Sequence, residues 1–102
     1  MKKRAERREA ERAREKLIEA RERLARLEPG SGPDRPIEVA SASLVEPRAL
    51  SLRCLRCDGE LRLDEHLAIQ SGDRRLRLTR LVCRACGTRR ELYFRLGTTL
   101  AS

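Results

Sequence analysis

Residues 54–59 read CLRCDG and residues 83–87 read CRACG, and these two motifs hold all four cysteines of the 102-residue chain. Two residues separate the cysteines within each pair, a spacing that lets one tight turn present both sulfur atoms to a single ion. Gly59 and Gly87 follow the pairs, and glycine adopts positive φ at little cost. The spacing therefore predicts a four-thiolate metal site, with the ligands Cys54, Cys57, Cys83 and Cys86.

Zinc is the metal that this ligand set favours, because Zn²⁺ prefers four soft ligands in a tetrahedron. Iron, two disulfides and a redox dithiol are the alternatives. Residues 1–28 are densely charged and contain no apolar signal segment, which argues against the disulfides of a secreted protein. A thioredoxin-like dithiol needs one cysteine pair near a βαβ pattern, and this chain has two pairs and no such pattern. Reduced cysteines and the missing signal predict a cytoplasmic protein.

The composition leaves little material for a hydrophobic core. Charged residues make up 39% of the chain and aromatic residues 2%. Small domains of this kind usually need an additional source of stability, such as disulfides or a structural metal. Structural zinc contributes about 10–16 kcal/mol in small metal-folded peptides, enough to replace a missing core. One structural Zn²⁺ is thus predicted to be a condition of folding.

Residues 1–28 predict a charged amphipathic helix, because they consist almost wholly of strong helix formers and end at Pro29 and Gly30. The apolar residues recur at alternating steps of three and four, a heptad-like stripe that Ile18 and Ala25 widen. The stripe comprises Ala10, Ala13, Leu17, Ala20, Leu24 and Leu27. Three interpretations stay open: the helix pairs with a second copy, docks on a partner, or stands alone in solvent.

Residues 29–36 hold three prolines and two glycines, which predicts a flexible linker and independent bodies on either side. Residues 37–53 predict an edge strand near 37–45, a break at Glu46-Pro47 and an extended lead-in to the first cysteine pair. Residues 97–102 are predicted to form a short, loose tail.

Residues 54–96 predict three antiparallel strands with both cysteine turns at one end. In the first strand, Leu61, Leu63, Glu65, Leu67 and Ile69 alternate with polar residues. Residues 71–73 predict a hairpin turn. In the return strand Leu76, Leu78 and Val82 share one face. The last strand, about 88–96, directs Leu92, Phe94 and Leu96 inward.

This region resembles a zinc ribbon, on the basis of Cys54-x-x-Cys57-x-Gly59, the hairpin, and Cys83-x-x-Cys86-Gly87. The resemblance covers about residues 52–96. It implies a small α+β chain: a long amphipathic helix, a linker and a three-stranded antiparallel zinc-ribbon sheet. It does not imply one function, because zinc ribbons occur in transcription factors, RNA polymerase subunits, ribosomal proteins, topoisomerase tails and interaction modules. The chain lacks the acidic hairpin tip of DNA-binding transcription-factor ribbons.

The formal net charge of +8 favours a polyanionic partner, either nucleic acid or an acidic protein surface. A Zn(Cys)₄ centre would add −4 + 2 = −2 and leave +6. Residues 74–95 carry eight arginines and one acid, Glu91. The strand pattern predicts an outward face that could contact phosphates, comprising Arg75, Arg77, Arg89, Arg95 and Tyr93. The alternative is a solvated face with weak cross-strand ion pairs.

The main competing function is a protein-interaction adaptor that uses the helix, through partner docking or a homodimer, with the ribbon as scaffold. Enzymatic activity is not expected, because four thiolates close the coordination shell that a catalytic zinc keeps open. His66 is the single histidine and is either a surface residue, a fifth candidate ligand or a base. No apolar stretch is long enough to span a membrane.

Overall fold

The computed structural model describes residues 2–97, so the predicted tail at 98–102 lies outside the described residues. Two helices and four strands follow one another along the chain, with a 3₁₀ turn before the second helix. They are α1 (Lys2–Leu27), β1 (Ile37–Val39), the 3₁₀ turn (Ala42–Leu44), α2 (Val45–Leu50), β2 (Leu61–Ser71), β3 (Arg74–Cys83) and β4 (Arg89–Leu96). The predicted small α+β class is confirmed.

The sheet has the strand order β1-β4-β3-β2, so it contains four strands where three were predicted. The pairs β2–β3 and β3–β4 are antiparallel, and the short edge strand β1 runs parallel to β4, with Ile37 opposite Phe94. The predicted edge strand therefore exists, but it ends at Val39 and not near residue 45. The β2–β3 turn has Gly72 at φ 63 as its first central residue, as a type II′ hairpin requires.

Helix α2 replaces most of the extended segment that was predicted before the first cysteine pair. Pro47 lies in the first turn of α2, where backbone N–H groups have no intrahelical acceptor. Its missing N–H therefore costs no hydrogen bond, and the proline is compatible with the first turn of a helix that begins at Val45. Val45 and Ala49 are fully buried on the sheet side.

A β-bulge in β2 changes which of its side chains face the core. Leu63 lies opposite Leu81 while Glu65 lies opposite Arg80, so Asp64 is the extra residue. Beyond Asp64 the alternation is reversed. The predicted single face is therefore wrong: Leu61 and Leu63 share the core face with His66, whereas Leu67 and Ile69 point to the opposite face.

The central strand β3 is buried on both faces. Leu81 and Thr79 lie on the core face at 1% and 0% exposure, and Leu76 and Leu78 lie on the opposite face at 2% and 5%. The main core lies between the first face and α2. It comprises Ile37, Val45, Ala49, Cys54, Leu61, Leu81, Cys83, Leu92 and Phe94. Two cysteines belong to this core, so the candidate metal site is continuous with it.

Helix α1 contacts the rest of the protein through one edge of the predicted stripe, the edge that Ile18 and Ala25 widen, and the leucines of the stripe are left exposed. Ile18 is 4% exposed, whereas Leu17, Leu24 and Leu27 are 52–65% exposed. One and two turns beyond Ile18 on the same side, Glu22 and Ala25 line a cavity of about 190 Å³ together with residues of the first cysteine turn and β4. The C-terminal half of α1 therefore lies beside the first cysteine turn and the start of β4, and the stripe of leucines faces outward.

The linker also contacts the sheet. Gly30 is buried, its carbonyl accepts a hydrogen bond from the backbone N–H of Tyr93 at 2.9 Å, and its N–H donates to the carbonyl of Arg35. A Cβ on Gly30 would lie 2.8 Å from the side chain of Ile37. The segment thus lies along the edge of β4 next to β1, which holds α1 close to the sheet. Within residues 2–97, no helix combines the length and apolar content that crossing a membrane requires.

Candidate metal centre

The four cysteine sulfurs converge on one point. All four Sγ atoms lie within 4.8 Å of one another, with 3.6 Å between those of Cys54 and Cys86 and 3.4 Å between those of Cys57 and Cys83. A tetrahedral ion with metal–sulfur bonds of about 2.3 Å needs sulfurs about 3.8 Å apart. Sulfurs joined in a disulfide are about 2.05 Å apart, and all four cysteines are free. The arrangement fits one metal ion held by four thiolates.

The two cysteine turns are built on the same backbone plan, which we call the first knuckle (residues 54–59) and the second knuckle (residues 83–88). In the first, the N–H of Asp58 donates to the carbonyl of Cys54 at 3.0 Å, and in the second Gly87 donates to Cys83 at 3.0 Å. Each knuckle is closed by a reverse bond, from Cys54 to Gly59 and from Cys83 to Thr88. The two knuckles therefore repeat one hydrogen-bond pattern.

Gly59 and Gly87, the two glycines that follow the cysteine pairs, have different structural roles. Gly87 has φ 76, as predicted, but its equivalent in the first knuckle is Asp58 at φ 62. Gly59 is needed for space, because a Cβ there would lie 3.0 Å from the Cys83 sulfur and 3.1 Å from the Cys57 sulfur. Positive φ closes each knuckle, and only the second uses glycine for it.

Backbone and hydroxyl donors favour the thiolate form that binds metals. Hydrogen bonds from the Thr88 hydroxyl and backbone N–H lower the pKa of Cys86 to about 6. The backbone N–H groups of Cys86 and Ala85 lower the pKa of Cys83. The thiol of Cys57 donates to the Cys83 sulfur, and this raises the pKa of Cys57 to about 12. Two of the sulfurs thus have lowered pKa values, and a bound cation would displace the proton that Cys57 holds.

The five residues of the predicted nucleic-acid face do not share a face. Arg77 lies opposite Phe94, and Tyr93 lies opposite Leu78. Arg75 and Arg77 therefore lie on the core face of β3, beyond the end of α2. The remaining three, Arg89, Tyr93 and Arg95, lie on the opposite face. The prediction of one shared face was wrong because β3 is apolar on both sides, so its leucines did not identify which side is the core.

Most arginines on the face opposite the core are neutralised by carboxylates. Arg80 bridges Glu65 at 2.9 Å and Glu91 at 3.0 Å, and these hydrogen bonds raise its pKa. Arg95 pairs with Glu38 on the neighbouring strand. Arg89 lies 3.8 Å from Asp64. Cross-strand ion pairs of the kind that the solvated-face alternative requires are therefore present.

His66 lies away from the sulfurs and joins α2 to the sheet. Its Nδ1 is 2.8 Å from a carboxylate oxygen of Glu46, and its Nε2 is 3.4 Å from a guanidinium nitrogen of Arg77. The histidine is not among the residues that converge on the metal site. Its side chain is 14% exposed, so it is not a fully exposed surface residue. Because it lies away from the sulfurs, it is not a fifth ligand either.

Several residues around the centre were not singled out from the sequence. Thr88 supplies the hydroxyl beside Cys86, 3.1 Å away. Arg90 is half-buried and donates to the carbonyl of Arg53 at 2.8 Å, which ties β4 to the first knuckle. Burial lowers the pKa of Arg90, against the attraction of Glu28. A polar residue directly after the Cys-x-x-Cys-Gly motif was the one available signal for Thr88.

No protein-family model matches the chain, and no curated protein or solved structure shows significant similarity to it.

Proposed function

We propose that this protein is a non-enzymatic, zinc-stabilised module that binds nucleic acid through contacts between arginine side chains and phosphates. The observation that carries the proposal is a group of arginines that no carboxylate neutralises. Among the described ion pairs, none involves Arg53, Arg74, Arg75 or Arg84. All four side chains belong to exposed residues. Together with the net charge of +8, they favour a polyanionic partner.

Zinc is the proposed ion because the donors are four thiolates at tetrahedral spacing. Iron would accept the same ligands, so the identity of the ion as zinc is itself proposed. Four thiolates leave no coordination position for a substrate or an activated water. The ion would therefore stabilise the fold, which supports a binding function and argues against a catalytic one.

Phosphate contact is better supported than base readout. Guanidinium groups form bidentate hydrogen bonds to phosphate oxygens. Stacking on bases needs exposed aromatic rings, and Tyr93 is half-buried while Phe94 is fully buried. We therefore propose binding that tolerates different sequences and depends strongly on salt.

The experiment is a titration of the zinc-loaded full chain with a fluorescent oligonucleotide, single-stranded or duplex DNA or RNA, at a series of salt concentrations. Each phosphate contact to duplex DNA contributes about −0.9 to the slope of log K against log salt, and each contact to a single strand about −0.7. We expect a slope of about −2 or steeper. Binding that is absent at low salt, or insensitive to salt, contradicts the proposal.

A second candidate function is protein interaction through α1, and the exposed leucines favour it. Leu17, Leu24 and Leu27 lie along one side of the helix at 52%, 62% and 65% exposure. A stripe of this kind can pair with a second copy or dock on a partner.

Sedimentation of the full chain against a Leu17→Glu, Leu24→Glu double variant separates the two functions. If the helix self-associates, the wild type will sediment as a dimer and the variant as a monomer. Monomers in both cases rule out the homodimer. Oligonucleotide affinity should be nearly unchanged in the variant if the arginines alone carry nucleic-acid binding.

A further inference from the structure

We propose that the phosphate-binding site is a groove beside the metal centre, here called the metal-end groove and defined by Arg53, Arg62 and Arg84. The inference rests on the proposed nucleic-acid binding and assigns it a place. It moves the interface from the predicted sheet face to the end of the sheet where the two knuckles meet.

The metal-end groove is formed by three parts of the chain that are distant in sequence. The C-terminal end of α2 supplies Leu50 and Ser51, the lead-in to the first knuckle supplies Arg53, and the second knuckle supplies Arg84. The start of β2 completes it with Arg62. The groove has a volume of about 430 Å³ and is open to solvent along the free edge of β2.

The charge of the groove is positive and mostly uncompensated. Three guanidinium groups line it against one carboxylate, that of Glu60, a net charge of 3 − 1 = +2. Arg53 and Arg84 belong to no ion pair within residues 2–97. The side chain of Arg62 is half exposed and forms a long ion pair with Asp64 at 4.0 Å, so Arg62 is the partly compensated member of the three.

The metal centre fixes the position of two of these arginines. Arg53 directly precedes Cys54, and Arg84 directly follows Cys83. The backbone N–H of Arg84 donates to the carbonyl of Glu60 at 2.8 Å. Backbone N–H groups already donate to the sulfurs, from Arg56 to Cys54 and from Ala85 to Cys83. The guanidinium groups themselves make no hydrogen bond to sulfur. They are therefore available to an external anion.

Arg75 also shares a groove with Arg77 at the hairpin end of the sheet, but Arg77 is half-buried and its guanidinium lies 3.4 Å from Nε2 of His66. The two exposed arginines of this end, Arg74 and Arg75, do not converge. Arg74 and Arg75 are consecutive residues of β3, so they point to opposite faces of the hairpin. Their positive charge is spread over two surfaces beside Asp73. Two or three guanidiniums that line one groove can bind adjacent phosphates of one strand, whereas diverging ones cannot.

The test compares two double variants that remove the same charge from opposite ends of the sheet. Arg53→Gln with Arg84→Gln alters the metal-end groove, and Arg74→Gln with Arg75→Gln is the matched control. Both are measured as zinc-loaded full chains against the same oligonucleotide over a range of salt. We expect the groove variant to bind at least about tenfold more weakly and its salt slope to be shallower by about two. The control should lose less affinity than the groove variant, about threefold, because Arg74 and Arg75 add general attraction to the polyanion without converging on one groove.

Arg62→Gln provides an independent arm, because this residue lies in β2 and away from the ligands. Its salt slope should become shallower by about one. Zinc content is measured for every variant.

Equal losses in the two double variants, with unchanged salt slopes, overturn the assignment and leave general charge attraction. Loss of zinc from the groove variant, together with unchanged binding by Arg62→Gln, also overturns the assignment. In that case Arg53 and Arg84 compensate the negative charge of the metal centre and do not bind phosphate. Absence of binding by the wild type contradicts the proposed function itself, which separates that failure from failure of the site assignment.

Discussion

Asp58 and Gly87 occupy equivalent positions in the two knuckles, and both have positive φ. This conformation costs a non-glycine residue about 1 kcal/mol or more, although aspartate tolerates it better than most. The knuckle geometry, in which each N–H at this position donates to the first cysteine's carbonyl, requires the conformation in both places. The first knuckle is therefore slightly strained where the second is not.

Exchanging the two residues tests this difference. Asp58→Gly should raise the free energy of unfolding of the zinc-loaded protein by about 0.5 kcal/mol, because the strain it relieves exceeds the added flexibility of the unfolded chain. Gly87→Asp should lower it by about 1 kcal/mol. Denaturant unfolding measures both. Destabilisation by Asp58→Gly would show that the aspartate side chain itself supports the knuckle.

Thr88 controls the proton affinity of Cys86. The pKa of Cys86 is about 6, below the ordinary value of 9.0, so its contribution to stability is fully present above pH 9 and is lost as the pH falls through about 6. Thr88→Val removes the hydroxyl donor and raises this pKa. Protons then compete better with the metal, so the variant should release zinc at a higher pH and bind it about tenfold more weakly at neutral pH.

Competition with a chromophoric chelator at a series of pH values measures this change. The difference from the wild type should shrink in alkaline solution, where Cys86 is a thiolate in both proteins. A loss of affinity that is the same at every pH would mean that the hydroxyl acts by packing and not through the pKa.

At the scale of elements, the two neighbouring residues Leu17 and Ile18 separate the inner and outer sides of α1. Ile18 is 4% exposed and Leu17 is 52% exposed. Ile18→Ala should weaken the docking of α1 on the rest of the protein by about 2 kcal/mol, since it removes buried apolar volume. Leu17→Ala should change docking by less than about 0.5 kcal/mol. Faster hydrogen exchange in residues 18–27 of the Ile18 variant alone is the expected result.

Equal exchange rates in the two variants would contradict the docked position of α1. The one described ion pair between α1 and the first knuckle, Glu15 with Arg56 at 3.3 Å, is exposed and contributes little by itself.

Much of the element order could be predicted from the sequence, and the failures have identifiable causes. The bounds of α1, the hairpin turn and the four clustered cysteines follow from local patterns. The bulge at Asp64 does not, because a polar residue in an alternating strand gives no sign of an added position. Pro47 was interpreted as a break because its place in the first turn of a helix depends on where that helix begins.

The arginine surface shows the same limit more clearly. Counting arginines in residues 74–95 identified an excess of charge but not its partners. Glu38, Glu65 and Asp64 come from other strands, and their pairing with Arg95, Arg80 and Arg89 depends on the register. Arg53 and Arg84 stand out only once the knuckles bring residues 53 and 84 to the same groove.

At the scale of the whole molecule, the candidate metal site and the hydrophobic core share residues. Cys54 and Cys83 are each 3% exposed and belong to the apolar cluster under α2, while Cys57 and Cys86 are exposed. A structural zinc contributes about 10–16 kcal/mol, comparable to the entire stability of a small domain. Folding of the sheet and metal binding are therefore expected to be one event.

Cys83→Ser tests this coupling. The variant should lose the metal, and the backbone amide signals of residues 54–96 should collapse to the narrow range of an unfolded chain. Treatment of the wild type with a strong chelator is the matched control and should give the same spectrum. A metal-free variant that keeps a dispersed spectrum would refute the structural role of the ion.

The most direct test of the central claim, that four thiolates hold one zinc at the end of the sheet, is X-ray absorption at the zinc edge of the purified protein. The account predicts one zinc per chain surrounded by four sulfur atoms at about 2.3 Å, with no nitrogen or oxygen neighbour. A shell that contains nitrogen or oxygen, or a protein that carries no zinc and has oxidised cysteines, would contradict it.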